Sequence, residues 1–370
     1  MDEVEQALLE AIGRDPEDPA PYLVYADWLQ ARGELRGELV TLQGTSDERP
    51  GDHRISDAAL DHIRAHADDY LGKLAPFVDQ DEFLSLRWRC GFIGSAELTW
   101  NRRGFSKRTP LMPASQILAV LLQLESARFL TRLVIEPPNR GDVDSRFIAT
   151  VLAQHAPASL RRLWIGPQDA WSANRDCTLG NLGGIWPRVS QLVELTVHGR
   201  PDSLGAIDLP NLRRATIQLE AGIGSAGEPI MREVAAARWP QLELLHVWHG
   251  HSVAEVTHLL DRDDLVTLGD LGILNFLLAD QLCSSLARSP LAPQLHRISL
   301  ARGGLTDEGV RTLVANRAAF PSLGMLDVSE TFVSRDGVAR LGELAPQVIA
   351  RDLRTGRPSI AVPVLTRVED

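Results

Sequence analysis

Apolar residues return along this chain in one recurring frame, L-x-x-L/I/A-x-hydrophobic. It reads Leu130-Leu133-Ile135, Leu160-Leu163-Ile165, Leu192-Leu195-Val197 and Leu212-Ala215-Ile217, then Leu242-Leu245-Val247, Leu268-Leu271-Ile273, Leu295-Ile298-Leu300 and Leu323-Leu326-Val328. Successive frames begin 30, 32, 20, 30, 26, 27 and 28 residues apart. A period near 28 with two-residue alternation inside each frame predicts one short strand per repeat and a solenoid of stacked units. One unit cannot bury its own apolar face; neighbours stacked side by side can.

Helical patterns fill most of the intervals, at Ser115–Leu124, Ser145–His155, Met231–Ala237, Val253–Asp261, Leu278–Arg288, Glu308–Arg317 and Asp336–Leu344. Such helices supply the crossover that parallel strands need. The 20-residue interval after Leu192 has no room for one, so a loop or extended strand is expected there. Ahead of the array the pattern differs. Phe83, Leu84, Leu86 and Trp88 alternate into a turn at Gly91, then Phe92, Ile93, Ala96 and Leu98 follow. This predicts a hairpin over residues 82–100 that closes the end of the apolar core.

The first 80 residues read as helices. Val4, Leu8, Leu9 and Ile12 share one face of a helix over 2–13. Arg14-Asp15-Pro16-Glu17-Asp18-Pro19 is a turn, and Pro21 fits the first turn of a helix that runs to about Ala31, before Gly33. Further helices are expected at 36–43 and 56–75, with a loop over 44–55. The expected organisation is a helical domain at 1–80, a capping hairpin and first helix at 81–125, the array at 126–350, and a tail or cap at 351–370.

Two resemblances follow from particular residues. Leu8-Leu9-Glu10-Ala11-Ile12, Asp15-Pro16, Tyr22-Leu23-Val24-Tyr25-Ala26-Asp27-Trp28-Leu29 and Arg36-Gly37-Glu38-Leu39-Val40-Thr41-Leu42-Gln43 resemble the bacterial repeat-companion domain. That short N-terminal module often precedes leucine-rich repeats, and Arg87-Trp88-Arg89-Cys90-Gly91-Phe92-Ile93 resembles a stretch that follows it. The resemblance implies an architecture and no activity. Leu295–Val310 and Leu323–Val338 resemble leucine-rich repeats of the ribonuclease-inhibitor type. This implies an α/β solenoid with parallel strands on the concave face and helices on the convex face. Thr306 and Ser334 sit where helix N-caps belong, with Asp307, Glu308 and Asp336 in the first turns. The family's asparagine after the strand is replaced by Gly303 and Thr331.

Charge adds a boundary. The chain carries −11 at pH 7; residues 1–80 hold 18 acidic and 7 basic side chains, and residues 81–370 hold 31 of each. A balanced array lacks the positive field by which a nucleic-acid binder displaces counterions, so a nucleic-acid partner is not expected. Lys73 and Lys107 are the only lysines, so nearly every cation is a guanidinium that can fork onto a carboxylate or stack on an aromatic ring. Cys90, Cys177 and Cys283 lie far apart, without metal-ligand spacing, and read as reduced packing residues of a cytoplasmic protein. Apolar runs are short, as in Ile117–Leu122, and give no membrane span.

No P-loop, Cys–His pair or nucleophile elbow appears. Gly222-Ile223-Gly224-Ser225-Ala226-Gly227 has the letters of a dinucleotide fingerprint, but Glu228-Pro229 follows where a helix should open, so an inter-repeat loop is expected. His246, His249 and His251 crowd one turn without a fourth ligand. Asp27 is expected to cap or pair locally, and Trp28 to anchor the helices. No cofactor and no metal are implied, and a small-molecule pocket is not expected.

The leucines point inward, so the intervening residues face the concave side. The partner-binding candidates are Arg132, Arg162, Trp164, His198, Arg214, Gln218, His246, Trp248 and Arg297, with Val134 and Glu136 also expected at that surface. Tryptophan and arginine are enriched among residues that dominate interface energies. The expected function is non-catalytic recognition of a protein or peptide; the alternative is a substrate-recognition subunit serving a separate catalytic protein.

Overall fold

The computed structural model describes residues 2–48, 53–79, 83–99, 112–137, 145–168, 177–219, 227–248 and 253–356. The chain divides into two compact units, Met1–Val143 with Thr150–Trp164, and Asp144–Ala149 with Ile165–Asp370. Both are mixed α/β.

The first unit opens with helices α1 (Glu3–Arg14), α2 (Ala20–Gln30), α3 (Leu35–Glu48), α4 (His53–Ala65) and α5 (Ala67–Leu71). Asp2 caps α1 by accepting the Val4 N–H at 3.3 Å. Pro21 stands in the first turn of α2, where its missing N–H costs nothing. Helix α3 runs to Glu48, into the 44–55 stretch where a loop was expected.

Strands β1 (Leu84–Arg89) and β2 (Phe92–Thr99) pair antiparallel, turning at Cys90 and Gly91, both at positive φ (47° and 78°). The two N-terminal sequence stretches meet at this turn. Arg36 donates to the Gly91 carbonyl at 2.6 Å, and the Gln43 side-chain carbonyl accepts the Gly91 N–H at 2.6 Å. A Cβ at Gly91 would stand 2.7 Å from Val40 Cγ2, so only glycine admits this approach. The core beneath is aromatic: Tyr22, Phe92 and Phe129 meet edge to face at 4.9–5.9 Å between centroids, joined by Tyr25. Trp28 stacks on Tyr25 at 5.8 Å and carries the Arg32 guanidinium at 3.7 Å, so it anchors the helical pair while remaining half-exposed. Asp27 is exposed. Helix α6 (Ala114–Gln123) precedes β3 (Arg132–Glu136), which pairs parallel with β2. Helix α7 (Phe147–His155) leads to β4 (Arg162–Ile165), which follows β3 in strand order.

The second unit is an array of parallel strands: β5 (Thr178–Asn181), β6 (Glu194–Ser203), β7 (Arg214–Leu219), β8 (Leu244–Trp248), β9 (Asp270–Leu274), β10 (Arg297–Ser299), β11 (Met325–Asp327) and β12 (Gln347–Ile349). Strands β6 to β12 neighbour one another in chain order, and β5 adds to β6. Helices α8 (Gly227–Ala236), α9 (Val253–Leu260), α10 (Ala279–Arg288), α11 (Asp307–Ala315) and α12 (Arg335–Leu341) form the crossovers and pack in succession. The short interval after Leu192 is met by extended backbone: β6 runs ten residues, and Asp208 bridges to Arg238. Every residue of the eight apolar frames is buried, none more than 5% exposed.

Two features lock the later repeats together. The Asp280 carboxylate accepts from Thr306 N (2.8 Å), Thr306 Oγ1 (2.6 Å) and Gly309 N (3.0 Å), capping α11 from the preceding helix. Asp307 repeats this on Ser334 N at 2.9 Å. A Cβ at Gly309 or Gly337 would stand 2.4 or 2.3 Å from these carboxylates, so both glycines are notches for a neighbour's aspartate. Beyond each strand, Asn275, Arg302, Glu330 and Asp352 adopt positive φ (50° to 64°), turning the chain out of the sheet. At the two departures from the family pattern, a Cβ at Gly303 would meet the Phe276 carbonyl at 2.7 Å, and fully buried Thr331 donates to the Val328 carbonyl at 2.6 Å.

Candidate functional site

Parallel register sets the intervening side chains of the second unit in rows. Glu194, Arg214, Leu244, Asp270, Arg297 and Met325 stand opposite one another across six strands. A second row holds Thr196, Thr216, His246, Gly272, Ser299 and Asp327. A third holds His198, Gln218, Trp248 and Leu274. With strands about 4.8 Å apart, row neighbours are close enough to interact.

They pair both along the rows and between them. Arg214 lies 3.7 Å from Glu194, with 63% of its side chain exposed. Asp270 receives His246 Nε2 at 2.9 Å and faces Arg297 at 3.7 Å. A Cβ at Gly272 would stand 2.7 Å from His246 Cδ2, so the missing side chain makes room for the ring. An Asp–His pair can orient a general base, but no hydroxyl or thiol among the described residues hydrogen-bonds His246, and Ser299 lies a strand beyond Gly272 and is buried. The pair fixes the orientation of the imidazole.

Trp248 is half-buried, and the Arg302 guanidinium covers its ring at 5.1 Å. Arg302 Nε donates to Glu330 at 2.8 Å, and Arg354 reaches the other Glu330 oxygen at 3.5 Å. The indole is therefore braced from the next turn rather than standing free. Gln218 is half-buried beside it.

Several residues expected at this surface are placed otherwise. His198 is only 6% exposed, with Nδ1 2.6 Å from the Pro167 carbonyl. The cause is Gly166, at φ 115°, which brings its loop against His198: a Cβ there would fall 1.8 Å from the His198 carbonyl. Val134 is 1% exposed, and Glu136 is 7% exposed and accepts from Thr99 Oγ1 at 2.9 Å. In the first unit Arg132 Nη1 donates to Ser95 Oγ at 3.4 Å, Arg162 bonds Glu17 at 3.0 Å, and Trp164 is half-buried. Asp270 was expected on the concave face, but its pairing with His246 and Arg297 was not, because it joins residues of neighbouring repeats. Sequence reasoning missed Arg302, since nothing local shows that a post-strand residue folds back over a strand-face ring.

His249, His251 and Gly222–Ala226 lie outside the described residues, while Gly227 opens α8, so a helix does begin where Glu228-Pro229 was expected to exclude one. Among the described residues no cluster of three or more His, Cys, Asp or Glu could hold a metal, and no helix is long and apolar enough to cross a membrane.

No family model and no curated protein matches the chain. Among solved structures, a protein of Bacteroides fragilis is similar at 18% identity over 65% of this chain and 71% of its own, with a TM-score of 0.54. An internalin of Listeria monocytogenes, InlF, aligns at 14% identity over 64% of this chain and 71% of its own, TM-score 0.32. The functional domain of InlJ from the same bacterium aligns at 12% over 61% and 48%, TM-score 0.27. The Bacteroides likeness is one of fold. Buried leucine frames on parallel strands, with helical crossovers between them, make the second unit a repeating strand–helix array.

Proposed function

We propose that this chain is a non-catalytic recognition protein, and that the strand face of its repeat array binds a protein or peptide through Arg214, Gln218, His246, Trp248 and Arg297. The observation that carries this reading is the row alignment. Polar and aromatic side chains stand in register on adjacent strands and are fixed by one another, so little side-chain freedom remains to be lost on binding. The Glu194–Arg214 and Asp270–Arg297 pairs alternate in sign along one row and favour a partner with alternating charge. Trp248, held by Arg302, supplies the apolar anchor. Trp164, Arg132 and Arg162 lie in the first unit.

The test is capture with the whole chain as bait. A partner retained by the wild type should bind Trp248→Ala more weakly by roughly 2 kcal/mol in calorimetry, and Arg214→Ala by less. Equal affinity of both variants for every captured protein rejects the strand face as the binding surface.

A further inference from the structure

The first unit contains a cleft of about 520 Å³ that the strand-face reading does not use. Its walls carry Arg87, Arg89, Arg132 and Arg162 against one carboxylate, Glu17. Acidic side chains outnumber basic ones 18 to 7 in the first 80 residues, so this concentration of guanidinium groups runs against its surroundings.

Strand pairing produces it. Arg87 stands opposite Ser95, and Ser95 opposite Arg132, so the three lie in one row across β1, β2 and β3. The Arg162 N–H bonds the Thr131 carbonyl at 2.9 Å, which brings the next arginine to the end of that row. Like charges set in such a row repel one another. The chain relieves part of this itself: Glu17 Oε1 sits 3.0 Å from Arg162 Nη2. Arg89 holds the Glu17 turn in place by donating to the carbonyls of Pro16, at 3.1 Å, and of Glu17. A carboxylate is thus already seated on one guanidinium. Arg132 spends one donor on Ser95 at 3.4 Å, and exposed Arg87 has no hydrogen-bond or ion-pair partner among the described residues. Leu60, 44% exposed, and Trp88 give the cleft an apolar side.

We infer that this cleft binds an acidic peptide segment, in which carboxylates engage Arg87 and Arg132 while an adjacent aliphatic side chain lies on Leu60 and Trp88. Guanidinium forks match carboxylates bidentately. Glu17 occupies the same row as a tethered ligand and competes for it. Every residue lining the cleft belongs to the first unit.

The test uses the full chain and three probes: the peptide Ac-Glu-Leu-Glu-Leu-Glu-amide, its glutamine counterpart, and inorganic phosphate, each measured by calorimetry. The glutamate peptide should bind at least tenfold more tightly than the glutamine one. The double variant Arg87→Gln/Arg132→Gln, with an unchanged circular dichroism spectrum, should lose at least tenfold. Glu17→Gln should gain several-fold because it removes the competing carboxylate, and Trp248→Ala should bind like the wild type. Equal binding of both peptides, an unaltered constant in the double variant, binding of phosphate but of neither peptide, or no binding at all would overturn the assignment. A loss in Trp248→Ala would place the peptide on the strand face instead.

Discussion

At the scale of single residues, the buried ion pair beside Trp248 is the most sensitive point. Arg302 and Glu330 have side chains 9% and 11% exposed, and both sit at positive φ, where a non-glycine residue pays a local conformational cost. Removing one partner leaves the other charge desolvated. Glu330→Ala should therefore destabilise the second unit by about 3 kcal/mol, read from the urea midpoint. The same variant should loosen the Trp248 ring, seen as a red-shifted, more quenchable tryptophan emission. An unmoved midpoint would show that water reaches the pair. None of this network could be read from the chain: Trp248 was visible as a strand-face residue, but its neighbour lies 54 positions on and folds back from a turn.

At the scale of elements, the aspartate–glycine contact between successive helices makes a coupled prediction. Asp280→Ala removes three hydrogen bonds at the start of α11 and should cost about 2 kcal/mol. Gly309→Ala forces a methyl group against the carboxylate and should cost about 1–3 kcal/mol. The double variant should cost less than the two added together, since deleting the carboxylate makes room for the methyl. Strict additivity in urea titrations would show that the two do not share this space. The helices of the first unit respond to pH instead. Burial, chiefly, pushes the Tyr25 and Tyr70 phenols up to about 12 from an ordinary 10. Above pH 10 the unfolded chain loses protons that the folded unit keeps. Stability is thus intact below pH 10 and falls between 10 and 12. Tyr25→Phe should flatten that fall in a denaturant series taken at stepped pH. These elements were largely legible in advance, because leucine spacing and proline positions act within a few residues. The end of α3 was not: the helix runs on to Glu48 through Thr45 and Ser46, both weak helix formers.

At the scale of the whole molecule, the three cysteines report on each unit separately. Cys90 lies in the first unit, Cys177 and Cys283 in the second; all are buried, and burial pushes the Cys283 thiol up to about 12. Under native conditions none should react with a maleimide over minutes, while with rising denaturant each should label as its own unit opens, resolved by peptide mass spectrometry. Rapid labelling of Cys90 in buffer would mean that the hairpin turn is not closed. The array itself was the most legible part of the chain, because each buried frame must recur to build one core. The arginine cleft was not, although Arg132 and Arg162 were both singled out. Their meeting with Arg87 and Glu17 depends on strand order and on where a proline turn comes to rest. The notch that links neighbouring helices also has an evolutionary reading. Residues 307–334 carry both an outgoing aspartate and, at Gly309, a receiving gap, so a tandem duplication of this stretch would arrive with its joint already machined. After Ser334, α12 carries Asp336 as its second residue, the place that Asp280 holds in α10, so the same device is repeated in the last helix.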